Sequence, residues 1–244
     1  MIEPYYKTEL GELYNGDCLD VIEQIGTVDL IATDPPYRTT ARGNAGNSGG
    51  MLQKKINIKG KVFENNSINI ETWLPRCYDI LKDSGHFYIM CNHKNLHKYL
   101  DTAKYCGLKF IKSLIWDKGN KIMGGFYMSQ FEYILFFRKG TGVRINNCGT
   151  SDILSIPNIK SKDPNGGNLH DTEKPIKLMD ILICNSTKPG ETVFEPFAGI
   201  GSTVIASELS GRKWIGSEID PIYCKVAAER ISSEKRRKLM NDLL

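Results

Sequence analysis

The stretch TVFEPFAGIGSTVIASELSG, residues 192–211, decides the fold, because it leads from an apolar strand through a glycine turn into a helical pattern. This order places a ligand over the N-terminus of the helix, at the carboxyl end of the strand. Gly199 and Gly201 allow tight backbone angles and let the backbone approach a ligand closely. Ser202 is placed to cap the helix. The stretch therefore predicts a ligand site on a strand–turn–helix unit.

The turn departs from the G-x-G-x-x-G pattern of dinucleotide sites, since Val204 stands where the third glycine would be. Two glycines alone also occur in turns that serve only packing, so that interpretation stays open. The next apolar run, KWIGSEID, ends in Glu218, seventeen positions beyond Gly201. An acid there suits ribose hydroxyls and favours an adenosine-type cofactor, although Glu218 could instead cap the helix that starts near Asp220.

Apolar runs and helical patterns alternate along the whole chain. Strands covered on both faces are predicted at residues 28–33, 86–91, 192–196 and 213–219. Helical periodicity is found at residues 17–25, 70–82, 95–106, 175–187, 202–210 and from 221 onward. Two further strands, paired antiparallel, are predicted at LIWDKG and FEYILFFRKG, residues 114–119 and 131–140. This alternation predicts one α/β domain with a mostly parallel sheet and helices on both faces.

The first predicted strand runs into Asp34-Pro35-Pro36-Tyr37, at the edge of the sheet where ligands bind. The two prolines offer no N–H donor, which leaves the Asp34 carboxylate and the Pro35 carbonyl as acceptors beside the flat face of Tyr37. Such a patch suits a planar ring that carries an amino group, for example a nucleobase that has left its stack. A turn that ends the strand explains the same residues, and both interpretations remain open.

These motifs together resemble those of the amino-group DNA methyltransferases. The D-P-P-Y motif precedes F-A-G-I-G at residues 197–201, which is similar to the β-type permuted order of that family. YNGDCLDVI at residues 14–22 and HDTEKP at residues 170–175 resemble two further family motifs. The resemblance implies an AdoMet-dependent enzyme with a Rossmann-like, mostly parallel seven-stranded sheet and an antiparallel edge hairpin. It also implies that residues 1–244 form one catalytic domain.

The resemblance carries roles over to individual residues. Asp34, Pro35, Pro36 and Tyr37 would hold the amine while its nitrogen attacks the sulfonium methyl in line. The implied AdoMet contacts are Asp17, Lys174, Glu195, Phe197, Ala198, Gly199, Gly201, Ser202, Thr203, Glu218 and Ile219. Two positions depart from the family pattern: Glu195 stands where Asp is commoner, and Ile200 replaces a smaller residue. These departures leave the contacts to the methionine end of AdoMet open.

The family resemblance also bears on the target. An initial Asp in the tetrapeptide usually accompanies adenine N6, so the prediction is methylation of a flipped adenine in duplex DNA. Cytosine N4 offers the same planar amine, and methyltransferases of RNA or of protein amides use similar chemistry, although those relatives commonly begin the tetrapeptide with Asn. An NAD-dependent oxidoreductase would share the glycine turn and Glu218, but it would leave D-P-P-Y unexplained.

Two glycine- and asparagine-rich segments interrupt the alternation. Residues 38–66 predict a mobile loop, and residues 140–171 predict a small insertion for target recognition. Cations in such loops can follow DNA phosphates, although each could equally be a solvated charge. The predicted DNA contacts are Arg38, Arg42, Lys54, Lys55, Arg144 and Lys160.

Composition sets the remaining expectations. The net charge of +4 is compatible with a polyanionic partner. The seven cysteines are scattered without a C-x-x-C pair, so neither a metal site nor a disulfide framework is predicted. No signal peptide or membrane span is evident, which predicts a cytoplasmic protein. A homodimer and a cognate restriction endonuclease are compatible with the family resemblance but not required by it.

Overall fold

A single sheet organises the protein. The computed structural model describes residues 2–36, 68–122, 126–161 and 173–242. Within these ranges the strands are β1 (Tyr6–Lys7), β2 (Gly11–Asn15), β3 (Val28–Thr33), β4 (Leu81–Cys91), β5 (Lys109–Ile122), β6 (Ser129–Arg138), β7 (Ile153–Ser155), β8 (Thr192–Glu195) and β9 (Lys213–Glu218). Their order across the sheet is β1-β2-β9-β8-β3-β4-β6-β5-β7.

The central strands β2, β9, β8, β3 and β4 are parallel, and β6 runs antiparallel to both β4 and β5. The predicted α/β class is therefore confirmed. The predicted count of seven strands is wrong, because the described residues add the short strands β1 and β7 at the two edges of the sheet. The antiparallel pair β5–β6 forms as predicted, but β7 pairs with β5 and takes the edge position.

Helices cover both faces of the sheet, as predicted. They are α1 (Cys18–Ile22), α2 (Ile70–Ile80), α3 (Leu96–Tyr105), α4 (Ile176–Ser186), α5 (Ser202–Leu209) and α6 (Pro221–Asp242). Alternate residues of β3 serve opposite faces: Ile31 packs with α1, α2 and α3, whereas Leu30 and Ala32 pack with α4 and α5. No helix in the described ranges is long and apolar enough to cross a lipid bilayer.

The described part of the predicted insertion, residues 140–161, packs against the body of the domain. The Asn146 side-chain amide donates to the carbonyls of Cys184 and Thr187, at 2.8 and 2.9 Å, and so joins the segment to the end of α4. A ring nitrogen of His86 on β4 lies 3.1 Å from the carbonyl oxygen of Val143. Residues 162–171 of the predicted insertion, and all of the predicted loop 38–66, lie outside the described residues.

Close packing of α5 on the sheet depends on a glycine in the strand and not in the helix. The missing third glycine of the turn motif is Val204, which is buried on α5. A Cβ added at Gly216 on β9 would lie 2.9 Å from Cγ1 of Val204 and 3.3 Å from Cδ1 of Leu13. The space that the motif normally gains from a helical glycine is therefore supplied by Gly216.

We expect Gly216→Ala to lower the free energy of unfolding by about 1 to 3 kcal/mol, because the added methyl group overpacks the contact with Val204. Urea unfolding followed by circular dichroism measures the change. Gly26→Ala is the matched control, since no atom lies within 4 Å of its added Cβ. Combining Gly216→Ala with Val204→Ala should give a smaller loss than the sum of the two single losses. Additive losses would show that the two residues do not share this space.

Candidate active site

The carboxyl ends of the parallel strands bring the predicted site residues to one edge of the sheet. Asn15 pairs with Glu218 across β2 and β9, and Thr33 pairs with Ile89 across β3 and β4. Asp17 and Asp34 follow β2 and β3 directly, and the glycine turn follows β8. The edge therefore has a half built on β2, β9 and β8, and a half built on β3, β4 and β6.

The glycine turn has the tight backbone geometry that the sequence predicts. Gly199 and Gly201 both have left-handed backbone angles, with φ of 54° and 88°. The N–H of Ala198 donates to the carbonyl of Ser217 at 2.8 Å, which ties the turn to β9. Gly201 is the N-cap residue of α5, and Ser202 is the first residue of the helix. The prediction that Ser202 caps α5 is therefore wrong, because the left-handed angle at Gly201 starts the helix one residue earlier.

Glu218 links the turn to the helix that follows β9. Its carboxylate accepts from the backbone N–H of Gly199 at 2.7 Å and from that of Asp220 at 2.8 Å. Burial raises the pKa of Glu218, and the two N–H donors oppose this shift. Beside it, Ile219 is 48% exposed, an apolar side chain open at the edge. Asp17 caps α1 by accepting from the N–H of Leu19 at 2.9 Å.

Glu195 lies under the turn and connects three elements. Its carboxylate accepts from the hydroxyls of Thr33 and Thr203, at 2.5 and 2.7 Å, and from the N–H of Phe197 at 3.1 Å. Burial raises the pKa of Glu195 to about 8. Since Glu195 and Thr203 are both buried and bound to each other, they support the shape of the turn from beneath. Phe197 packs edge-on against Trp73 at 5.2 Å, which fixes the start of the turn.

A line of alternating charges defines the other half of the edge. The Lys174 ammonium, two residues before α4, donates to Oδ2 of Asp34. The same ammonium lies 3.6 Å from Oε2 of Glu132 on β6, whose Oε1 accepts from Lys118 on β5 at 2.5 Å. The two lysines also lie over the ring of Trp116, Lys118 at 4.9 Å and Lys174 at 6.0 Å. We call the series Asp34, Lys174, Glu132 and Lys118 the ionic chain.

The charges of the ionic chain set the protonation of its acids. Burial raises the pKa of Asp34, and the positive charge of Lys174 opposes that shift without reversing it. Burial also acts to raise the pKa of Glu132, but Lys174 and Lys118 hold it below its usual range. Lys174 is therefore the group that does most to keep Asp34 in the ionised form that accepts hydrogen bonds.

A second polar cluster joins the ionic chain to the glycine turn. The Glu173 carboxylate accepts from the N–H and the hydroxyl of Ser161, at 2.7 and 2.8 Å, and from the Arg230 guanidinium. Arg230 on α6 also donates to the carbonyl of Ile200 at 2.5 Å. The Lys160 ammonium donates to the carbonyl of Glu173 at 2.5 Å. These contacts fix the residue before Lys174 relative to the turn.

A family model described as DNA methylase, of the N6/N4 methyltransferase type, matches residues 28–229, which is most of the chain. The chain belongs to this family of DNA methylases. The match begins at β3 and ends within α6, so it contains Asp34, the glycine turn and Glu218, whereas β2 and Asp17 precede it.

Individual DNA methyltransferases are similar to this methylase over nearly its whole length. The type II methyltransferase M.BamHI of Bacillus amyloliquefaciens is 29% identical over 274 residues, and the alignment covers 98% of this chain. The methylase spans 61% of the length of M.BamHI.

Two solved structures share the fold. The PvuII DNA methyltransferase, which is cytosine-N4-specific, aligns with a TM-score of 0.71 at 20% identity, over 98% of this chain and 95% of its own. The M1.HpyAVI–SAM complex aligns with a TM-score of 0.66 at 21% identity, over 90% of this chain and 99% of its own.

Two lysines that were predicted to contact ligands bind protein groups in the methylase. The Lys174 ammonium, predicted for the cofactor, is bound to Asp34. Lys160, predicted for DNA, turns inward to Glu173, and burial, reinforced by Lys174, lowers its pKa to about 8. Arg144 is exposed, as a DNA contact requires. The predicted residues Tyr37, Arg38, Arg42, Lys54 and Lys55 lie outside the described residues.

Four charged residues of the site are absent from the predicted site residues: Glu132, Lys118, Glu173 and Arg230. Glu132 carried one usable signal, since it is the only acid in the apolar run FEYILFF. An acid in a strand that is otherwise apolar needs a charged partner if it is buried. Lys118 and Arg230 had no such signal, because lysine and arginine on a strand end or a helix are usually solvated.

Glu195 should make the stability of the methylase depend on pH. A pKa raised to about 8 means that the folded state binds a proton that the unfolded state releases near its ordinary value of 4.5. This contribution is complete at low pH and is lost as the pH rises to about 8. Relative to Glu195→Gln, the wild type should therefore lose about 1 to 3 kcal/mol of unfolding free energy between pH 5.5 and 8.5.

Urea unfolding of both proteins at these two pH values measures the difference. Glu229→Gln, at an exposed position of α6, is the control and should show no such dependence. An equal difference between wild type and Glu195→Gln at both pH values would contradict a raised pKa at Glu195.

Proposed function

We propose that this methylase transfers a methyl group from S-adenosylmethionine to the exocyclic N6 amine of a flipped adenine in duplex DNA. The observation that carries the proposal is the position of Asp34, an acceptor next to Pro35 and Pro36, at the same sheet edge as the glycine turn and Glu218. An amine acceptor and an adenosine site are thus built on neighbouring strands, β3 and β8.

The half of the edge on β2, β9 and β8 fits S-adenosylmethionine, and we call it the cofactor half. Glu218 is an acceptor for ribose hydroxyls, and the exposed Ile219 offers an apolar face to a purine ring. Gly199 has no neighbouring atom within 4 Å of an added Cβ, so the backbone of the turn is open to a ligand. Asp17 stands beside Glu218, because the N–H of Gly16 donates to the carbonyl of Glu218 at 3.0 Å. When bound, this cofactor supplies an electrophilic methyl group.

The other half, on β3, β4 and β6, holds and orients the amine, and we call it the amine half. Asp34 in its ionised form accepts one amine hydrogen, the carbonyl of Pro35 accepts the second, and Tyr37 provides a stacking face. Accepting both hydrogens orients the nitrogen lone pair out of conjugation with the ring, which makes the nitrogen a better nucleophile. Positioning and electrostatic stabilisation account for the rate, without a covalent enzyme intermediate.

Lys174 has a positioning role in this scheme, since it acts through Asp34. Its ammonium and the target amine are both donors to the same carboxylate. When the amine takes its place on Asp34, Glu132 at 3.6 Å provides a second carboxylate on which the Lys174 charge stays paired. The ionic chain thus opposes protonation of Asp34 and leaves the lysine charge compensated.

Cytosine N4 is the second candidate target. The structural similarity to PvuII DNA methyltransferase, which is cytosine-N4-specific, favours it. The initial Asp34 of the tetrapeptide favours adenine in this family. Both bases offer a planar amine to the same acceptors, so the reaction on either base uses the residues named here. Phosphate contacts by Arg144 and a cytoplasmic location remain predictions from the sequence, and a homodimer and a cognate restriction endonuclease remain compatible with it without being required.

Incubation with methyl-labelled S-adenosylmethionine and unmodified duplex DNA, followed by nucleoside mass spectrometry, tests the proposal. We expect label in N6-methyladenine. Label in N4-methylcytosine would replace the proposed base, and label in neither nucleoside would refute a DNA substrate. Asp34→Ala should abolish transfer and leave S-adenosylmethionine binding, measured by calorimetry, within a few-fold of wild type, because Asp34 lies on the amine half. An active Asp34→Ala enzyme would contradict the role of Asp34.

Lys174→Met should move the acid limb of the pH profile of kcat/KM to higher pH. Without the lysine charge, burial raises the pKa of Asp34 further, so a higher pH is needed to ionise it. Loss of a neighbouring opposite charge corresponds to a shift of about 1 to 3 pH units. Lys177→Met, at an exposed position of α4, is the matched control. A uniform loss of activity with an unchanged profile would show that Lys174 has only a structural role.

A further inference from the structure

The β5–β6 hairpin extends past the edge of the sheet that carries the active site. The last residue of β4, Cys91, pairs with Tyr133 of β6, and pairing between β5 and β6 continues outward to Ile122 and Ser129. Glu132, the first residue beyond the end of β4, contacts Lys174 and thereby reaches the Asp34 site. The hairpin therefore starts at the ionic chain and points away from the sheet.

The base of this hairpin is braced. One oxygen of the Asp117 carboxylate accepts from the side-chain amide of Gln130 at 2.9 Å and from the N–H of Gly119 at 3.0 Å. Asp117 also pairs with Phe131 on β6 and with Ser155 on β7. Three strands thus fix the hairpin at the level of Phe131, and the residues beyond that level are held out from a rigid support.

The far end of the hairpin presents apolar side chains to solvent. Phe126 is 98% exposed, Tyr127 is 94% exposed and Met128 is 56% exposed; we call these three residues the aromatic tip. Large aromatic side chains exposed side by side on a rigid support mark an interaction surface. Between Lys118 and Glu132 the sequence contains the cation Lys121 and no acid, so the charge of the hairpin suits a polyanion.

We propose that the aromatic tip is a wedge that inserts into the DNA base stack beside the target nucleotide. Apolar and aromatic side chains inserted between base steps unstack them, and aromatic rings stack on bases of any sequence. Because the amine must reach Asp34, the target base has to leave its stack, which costs free energy in matched duplex DNA. The wedge fills the space that the base leaves. This inference rests on the proposed DNA substrate, whichever base is methylated.

The length of the hairpin fits this role. Ser129 lies three residues beyond Glu132, which corresponds to roughly 10 Å along an extended strand, and the aromatic tip lies beyond Ser129. This reach is about the depth of a DNA groove, roughly 8 Å. Since Glu132 is linked to Asp34 through Lys174, the wedge and the proposed base site belong to the same edge of the sheet.

The experiment compares two oligonucleotide duplexes that contain the methylated sequence, one fully matched and one with an abasic site opposite the target base. In the second duplex the target has no partner and leaves the stack easily. The variant Phe126→Ala/Tyr127→Ala should lose roughly 10-fold or more of kcat/KM on the matched duplex. On the abasic duplex it should stay within a few-fold of wild type.

Tyr105→Ala is the matched control. Tyr105 is 90% exposed, but it ends α3 near the opposite edge of the sheet, where β5 begins. This variant should equal wild type on both duplexes. An equal loss on both duplexes for the tip variant would overturn the wedge and indicate a general DNA contact. No loss on either duplex, or no loss together with a change from dimer to monomer in light scattering, would assign the tip to protein contacts. Wild type inactive on both duplexes would refute the proposed function itself.

Discussion

Pairing of buried charge is the constraint on which the active-site edge depends. Asp34 follows β3, Glu132 lies on β6, and Lys174 precedes α4, so one ammonium joins three elements distant in sequence. Removing one partner of a buried ion pair leaves an uncompensated charge and is more destabilising than the pair itself is stabilising. Each member of the ionic chain therefore requires the next one, and Glu132 is held in place by Lys118 as well as by Lys174. The two inner members, Lys174 and Glu132, each have two partners of opposite charge, so each stays paired when one of these contacts is lost.

The cofactor half meets the same constraint without lysines. Glu218 is held by the backbone N–H groups of Gly199 and Asp220, and Glu195 by two threonine hydroxyls and one N–H. Burial raises the pKa of both acids, and the neutral donors oppose this shift without reversing it. The two halves of the edge thus compensate their buried acids with different donors, neutral groups around Glu218 and Glu195, and an ammonium at Asp34.

The sequence predicts the features of this structure that neighbouring residues encode, and it does not predict contacts between residues that are distant in the chain. The buried strands β3, β8 and β9 lie at the predicted positions because runs such as VDLIAT are apolar on both faces. β1, of two residues, and β7, of three, are too short to show a period. The acids and glycines at the edge were predicted because each ends a strand or forms a turn. Their partners were missed, because contacts such as Lys174 to Asp34 cross 140 positions of sequence, and no local pattern records them. The inward contact of Lys160 with Glu173 was not predicted for a similar reason, because the sequence does not show whether a lysine in a loop faces solvent or the protein.

The alternation of side chains on β6 gives the hairpin its link to the chemistry. Neighbouring residues of a strand point to opposite faces, so Glu132 turns to Lys174 while Phe131 stays 45% exposed. The far end of the hairpin is joined to Glu132 by a strand that Asp117 braces, since the Asp117 carboxylate accepts from the side-chain amide of Gln130 on β6 and from the N–H of Gly119 on its own strand, β5. In the proposed reaction Glu132 is also the carboxylate that keeps Lys174 paired when an amine occupies Asp34. The proposed wedge ends at Met128, four residues before Glu132, so the proposed DNA contact and the group that compensates Lys174 belong to the same arm of one hairpin.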